Sequence, residues 1–116
     1  MNKIVKARNL WIESLHTGNL YGIMNCYHNQ HTFKGTLNTK VTERKEDTEM
    51  YFQQLFNLNP KVVFVKSDIM KMGGTYMDYG TYMFDLNSNY VYATYQFTYK
   101  MVGDEPKIIS HFSCKI

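Results

Sequence analysis

The stretch "VYATYQFTYKM", residues 91–101, alternates without interruption. Val91, Ala93, Tyr95, Phe97, Tyr99 and Met101 fall on one side and Tyr92, Thr94, Gln96, Thr98 and Lys100 on the other. Successive side chains of a strand stand on opposite faces, so this is a strand of a sheet with one buried face. The buried face is unusual in carrying two phenol hydroxyls among its apolar groups. It covers either an ordinary core or a pocket, and alternation alone leaves both open. The opposite face, with its Thr and Gln, is poor as a deep core. It suits solvent or a polar contact between subunits.

Three further segments share this character. "KVVFVKSDIMKM" (61–72), "TYMDYGTYMFDL" (75–86) and "KIISHFSCKI" (107–116) are separated from one another and from the first strand by "GG", "NSN" and "VGDEP". Connections this short between alternating segments indicate an antiparallel meander. The first half of the chain reads differently. Ile4, Arg8, Trp11, Ile12 and Leu15 recur at three- and four-residue steps, one covered stripe of a helix. "HTGNL" (16–20) breaks it, Gly18 suiting the left-handed residue past a helix end and Asn19 the cap of the next helix. Leu20, Ile23, Met24 and Tyr27 continue the apolar face, so helix is expected through residue 28. A short hairpin is expected over 31–41 around Gly35 and Asn38. Helix returns over 43–57, with Met50, Tyr51, Phe52, Leu55 and Phe56 inside and Pro60 as the stop. Helices first and strands later define an α+β domain, helices packed on one face of a curved antiparallel sheet. At 116 residues the chain is one domain, 1–116.

Composition narrows the function. With 44% hydrophobic and 20% charged residues the chain is globular rather than disordered. Ten Tyr, seven Phe and one Trp exceed what a minimal core requires, and Tyr is favoured in pockets and interfaces. Thirteen Lys and Arg against ten Asp and Glu leave a net charge of +3 with no basic tract, and "TERKEDTE" (42–49) reads as a solvated helix face. Nucleic-acid binding, which wants a concentrated basic stripe, is not expected. The opening "MNKIVKARNLWIESL" is amphipathic rather than a signal peptide, and no run approaches a membrane span, so no membrane partner is expected. Cys26 and Cys114 make no disulfide framework, and a reducing cytosol with both thiols free is the expected location.

The order of these segments resembles the nuclear transport factor 2-like (cystatin-like, SnoaL-like) superfamily. Within it the resemblance is greatest to the association-domain family of calcium/calmodulin-dependent kinase II and its stand-alone relatives. "HTGNL" looks like the family's turn after the first helix. "TKVTERKEDTEMYFQQL" is similar to its "N-K-V" stretch leading to a helix that ends in "Y-F". "MDYGTYMF" resembles "I-D-S-G-x-Y-x-F", and "ATYQFTYK…KIISHFSCKI" resembles "A-R-Y-x-F-x-Y-R…W-K-I-V-x-H-H-S-S-x-M-P". Pro106, Phe112, Cys114 and Thr94 depart from that pattern. The positions of the arginines in the kinase hub pocket fall near Thr81, Phe97 and Ser113, which implies that its cationic pocket is not kept.

The resemblance implies a sheet curled round a cone-shaped pocket closed by the helices. Strand alternation and the family match together place Tyr79, Thr81, Tyr95, Phe97, His111 and Ser113 inward as ligand-binding residues, and Tyr92, Thr94, Gln96 and Thr98 on the convex side. Relatives pair through that convex side, so the implied partner is a second copy of the chain, as a homodimer or a larger ring. A small apolar or polar-aromatic ligand is the other implied partner, with no cofactor.

His111 is the ionisable group of most interest, because an imidazole exchanges protons near neutral pH. With Tyr95 across the sheet it could orient a carbonyl or move a proton; equally, its ring could be tied to a tyrosine for structure alone. His28 and His31 have a spacing that can serve a metal but no third ligand nearby, so no metal is expected. Asp78 and Tyr82 form the acid and phenol of an isomerase-type site, but by the same parity they fall on the convex side. Asp85 has inward parity beside the "NSN" turn and is expected to be solvated. Cys114 lies on the face opposite His111, which removes it as a nucleophile. Two readings follow. One is a non-catalytic association domain with a Tyr-lined pocket. The other is a small polyketide cyclase or ketosteroid isomerase-like enzyme using His111 with Tyr95 or Tyr79 as acid and base.

Overall fold

The computed structural model describes residues 2–116. Helices α1 (Asn2–His16) and α2 (Leu20–Met24) precede strand β1 (Tyr27–Lys34) and helix α3 (Lys45–Phe56). Four strands then follow in succession: β2 (Pro60–Met72), β3 (Thr75–Leu86), β4 (Asn89–Val102) and β5 (Glu105–Lys115). The sheet order is β1-β5-β4-β3-β2, open at both edges. The helices cover one face, and the α+β architecture is the expected one.

The turn between the first two helices follows its residue chemistry. Gly18 has φ 64°, where a side chain would be strained. Asn19 caps α2 by accepting the Gly22 N–H at 2.9 Å. Helix does not continue to residue 28, however. It ends at Met24, and Tyr27 opens β1. This strand is parallel to β5, pairing Thr32 with Ser110 and Phe33 with His111, so the sheet is mixed rather than purely antiparallel. The expected hairpin survives only as one bridge, Phe33 to Thr42, beyond a turn in which Asn38 N–H donates to Gly35 O. Pro60 does more than stop α3: it is the first residue of edge strand β2, where its missing N–H costs no ladder bond. On α3, Phe52 and Leu55 are buried as expected, but Met50 is exposed.

Register decides which face each strand residue occupies. β3 and β4 are joined through Asn87 and Ser88, so Leu86 pairs with Asn89, Tyr82 with Ala93, Gly80 with Tyr95 and Asp78 with Phe97. Residues paired across antiparallel strands share a face. Tyr95, Phe97, His111 and Ser113 are inside. The inward set of β3 is therefore Tyr76, Asp78, Gly80, Tyr82, Phe84 and Leu86, of which all but Tyr76 and Gly80 are buried. The expectation for β3 is thus corrected. Tyr79 pairs with Gln96 and Thr81 with Thr94, both on the outer face, while Asp78 and Tyr82 lie inside. Asp85 is likewise on the outer side, accepting the Ser88 N–H at 2.7 Å.

Trp11 stands at the centre of the covered side. Its ring centroid is 5.2 Å from Phe97, 5.6 Å from His111, and 6.2 Å from both Phe52 and Tyr82. Ile4, Leu15, Ile23, Phe33 and Ile108 close the cluster. Gly80 lets β2 and β3 approach each other here, since a Cβ on it would lie 1.9 Å from the Lys66 carbonyl oxygen. The obstacle is backbone, so Gly80→Ala is expected to force the strands apart and cost about 2–4 kcal/mol. Urea unfolding followed by circular dichroism checks this, and an unchanged midpoint would refute the close approach.

Candidate functional site

Two polar clusters are embedded among the interior rings. The first is built on His111, which β5 holds at 2% exposure opposite Phe97. The Trp11 indole can only donate, and its N–H points at Tyr27 Oη, 3.1 Å away. That leaves the Tyr27 hydroxyl proton for His111 Nδ1 at 2.7 Å. With Nδ1 accepting, the neutral ring carries its proton on Nε2 and donates to Tyr82 Oη at 3.3 Å. Tyr82 in turn faces Thr36 and Ser113, whose hydroxyl oxygens are 2.5 Å apart. The relay crosses from α1 through β1 and β5 to β3 and the loop after β1. Every hydroxyl in it has a partner, which is what makes a buried polar network tolerable.

Burial holds the His111 imidazole down to about 3, with the nearby His31 adding to the effect. Burial also pushes the Tyr27 and Tyr82 phenols up. Near neutral pH the ring is uncharged and both its nitrogens are engaged. It is therefore a poor proton exchanger and a good structural joint.

The second cluster joins α1 to the middle of the sheet. Asp78 on β3 has no exposed surface. It receives Arg8 Nη1 at 3.2 and 3.1 Å and the Tyr95 hydroxyl at 2.9 Å. The same Arg8 nitrogen donates to Ser67 Oγ on β2 at 2.6 Å. Burial raises the Asp78 carboxyl from its ordinary value, and the Arg8 guanidinium and Tyr95 hydroxyl act against that rise. Arg8 Nε and Tyr99 Oη, both buried beside this cluster, have no partner among the described residues.

Of the six residues proposed from sequence, Tyr95, Phe97, His111 and Ser113 come together inside, whereas Tyr79 and Thr81 do not join them. The phenols that hold His111 are Tyr27 and Tyr82 rather than Tyr95, which serves Asp78. Tyr27 was hidden by its assignment to a helix, and Tyr82 and Asp78 by the parity of β3. Stacked rings occupy the interior, Tyr82 and Tyr95 lying 4.5 Å apart. Tyr27 also borders a surface cleft beside α2, whereas Tyr95, Phe97, His111 and Ser113 line none of the clefts described. One of about 400 Å³ lies between α1 and the β4–β5 turn, with Lys3, Lys6, Leu10, Cys26 and Pro106 in its walls.

Elsewhere the histidines are also committed. His31 Nδ1–H donates to His28 O (2.7 Å), which leaves Nε2 of the neutral ring to accept the Thr48 hydroxyl (2.8 Å), and His16 Nε2 accepts the Val62 N–H at 2.7 Å. Among the described residues no three His, Cys, Asp or Glu side chains are grouped to hold a metal ion. No described helix is long and apolar enough to cross a membrane. Cys26 is buried and Cys114 exposed, both as free thiols.

The outer face of the sheet has no helix over it. Its centre is uncharged, with Met77, Tyr79, Thr81 and Met83 on β3 and Tyr92, Thr94, Gln96 and Thr98 on β4. Phe64 and Met70 on β2 and Phe112 on β5 continue it and are exposed. Gln96 satisfies its amide locally, on Thr98 Oγ1 and Ser110 O. Charges sit at the margin, with Lys61, Lys66 and Asp68 on β2, Asp85 towards the end of β3, Lys100 towards the end of β4, Glu105 and Lys107 on β5 and Lys34 on β1.

These features agree with known structures. The chain has the nuclear transport factor 2-like, cystatin-like fold. A Xanthomonas campestris protein named for the association domain of calcium/calmodulin-dependent protein kinase II is similar to it at a TM-score of 0.89. The two are 25% identical, over 97% of this chain and 85% of that one. A Streptomyces avermitilis protein, named as a dehydratase of the same fold family, gives a TM-score of 0.88 at 8% identity, over 99% of this chain and 94% of that one. A cystatin-like protein of Nostoc punctiforme gives 0.81 at 8% identity, over 98% and 89%. The last two likenesses are of fold alone. No protein-family model matches the sequence, and no curated protein does.

Proposed function

We propose that this chain is a non-catalytic association domain that pairs with a second copy of itself through the outer face of its sheet, as a homodimer or a ring built from such dimers. The observation that carries this reading is the uncovered, uncharged centre of that face with its rim of both signs. A second copy fits because the rim carries both signs, so that lysines of one copy can meet carboxylates of the other. The similarity to the Xanthomonas association domain, the most identical of the three relatives described, points the same way. In this reading Tyr95, Phe97, His111 and Ser113 hold the domain together instead of meeting a ligand, and the two thiols stay reduced in the cytoplasm.

Sedimentation equilibrium is the test. The wild-type mass is expected at a multiple of 13.7 kDa. Thr81→Arg sets a charge at the middle of the face in each copy, and is expected to weaken association by on the order of 100-fold with an unchanged circular dichroism spectrum. A monomeric wild type, or a variant that associates as before, would reject the proposal.

A second reading, acid–base catalysis, draws on one observation: Asp78 and Tyr95 form an acid–phenol pair in the interior, in place of the expected His111 and Tyr95. It ranks lower because Asp78 is already saturated by Arg8 and Tyr95 and is shut off from solvent.

A further inference from the structure

The outer face holds four of the chain's eight methionines. Met70 and Met77 pair directly across β2 and β3. Met72 lies two residues along the same face, and Met83 sits between Phe64 and Tyr92. Met70 is 45% exposed and Met72 40%. Strands ordinarily favour β-branched and aromatic residues, so four thioethers on one face of two adjacent strands are a departure. Three others are placed differently: Met24 is buried at the end of α2, Met50 is exposed on α3, away from the sheet, and Met101 has the opposite, inward parity near the end of β4. An unbranched thioether packs adaptably against a partner, and it is also the apolar side chain most readily converted to a polar one.

We propose that this methionine row makes association of the outer face reversible by hydroperoxides. The inference rests on the association reading above. In the reaction the thioether sulfur takes the terminal oxygen of the hydroperoxide. The O–O bond breaks, an S=O bond forms, sulfur loses two electrons, and the peroxide leaves as water or an alcohol. Oxidation occurs in the dissociated fraction, where the row is open to solvent. Each sulfoxide replaces an apolar thioether by a strongly hydrated S=O group that renewed pairing would have to desolvate, and it does so twice across a symmetric pair. Oxidised chains are thereby held apart until a methionine sulfoxide reductase restores the thioethers.

The experiment is sedimentation velocity on the protein before and after hydrogen peroxide, with mass spectrometry locating the added oxygen. Oxidation at Met70 and Met77 is expected to raise the dissociation constant by about 100-fold, and methionine sulfoxide reductase is expected to reverse it. A variant with Leu at all four positions is expected to associate before and after the same dose, while Met50 is oxidised in both proteins. Unchanged association of wild type carrying sulfoxide at Met70 and Met77 would overturn the inference and leave the association reading standing. Equal loss of association in the Leu variant would do the same. If untreated protein is monomeric, both fall together. Should the Leu variant fail to fold, the peroxide and reductase cycle on wild type decides alone.

Discussion

Arg8→Met is expected to destabilise the domain by about 3–5 kcal/mol, the usual cost of removing one partner of a buried ion pair. Asp78 has no exposed surface, and Arg8 keeps only 14% of its side chain in solvent. Without Arg8 the carboxylate retains only the Tyr95 hydroxyl, and Ser67 loses its partner as well. The pH dependence identifies the cause. Burial already raises the Asp78 carboxyl, and losing the guanidinium raises it further. The folded variant therefore binds a proton more readily than its unfolded chain, so acidification relieves the defect. The stability gap between wild type and variant is expected to narrow as pH falls, in urea titrations at several pH values. Arg8→Met with Asp78→Leu is expected to recover most of the loss, since an apolar pair of similar volume needs no counter-ion. A gap that stays constant with pH would mean that only packing was lost.

The second large effect belongs to His111. Its ring is held from an ordinary 6.5 down to about 3. The unfolded chain therefore takes up a proton as pH falls below 6.5 while the folded chain does not. The contribution is fully present above 6.5 and drains away at about 1.4 kcal/mol per pH unit towards the folded value. His31 and His16, also lowered by burial, add to the same slope. His111→Phe keeps the volume of a ring but strands the Tyr27 and Tyr82 hydroxyls, so it is expected to be less stable near neutral pH. Its stability is expected to fall less steeply on acidification, by about 1.4 kcal/mol per unit. An identical slope in the variant would show that His111 is not the buried neutral ring described above.

Most of the architecture was legible in local patterns. The four late strands announce themselves by alternation and by short, Gly- and Asn-rich turns, and all four lie within two residues of the observed bounds at each end. The helix turn was legible because Gly18 and Asn19 each do one chemically specific thing. What was not legible is non-local. β1 carries His28, Asn29 and Gln30 at consecutive positions and shows no alternation. It becomes a strand because β5, some eighty residues later, offers it an edge. The error of parity on β3 has a different origin. "TYMDYGTYMFDL" places Tyr, Met or Phe on both faces, so hydrophobicity cannot choose between them, and register must. The signal was there in the two-residue turn at Asn87 and Ser88, which forces even-numbered residues of β3 opposite odd-numbered residues of β4. Counting across that turn brings Asp78 and Tyr82 inside and moves Tyr79 and Thr81 out. With Asp78 inside, the interior reads as two buried polar clusters in place of a ligand cone, and the uncovered sheet face becomes the surface on which the proposed association rests.

The most direct measurement is of contacts between copies. In a mixture of isotope-labelled and unlabelled protomers, filtered nuclear Overhauser spectra report only proximities across the interface. Methyl groups of Met77 and Met83 in one protomer are expected to show cross-peaks to the rings of Tyr79, Tyr92 or Phe112 in the other. Spectra with no intermolecular peaks, or with peaks only from helix residues such as Leu10 and Met50, would contradict pairing through the sheet.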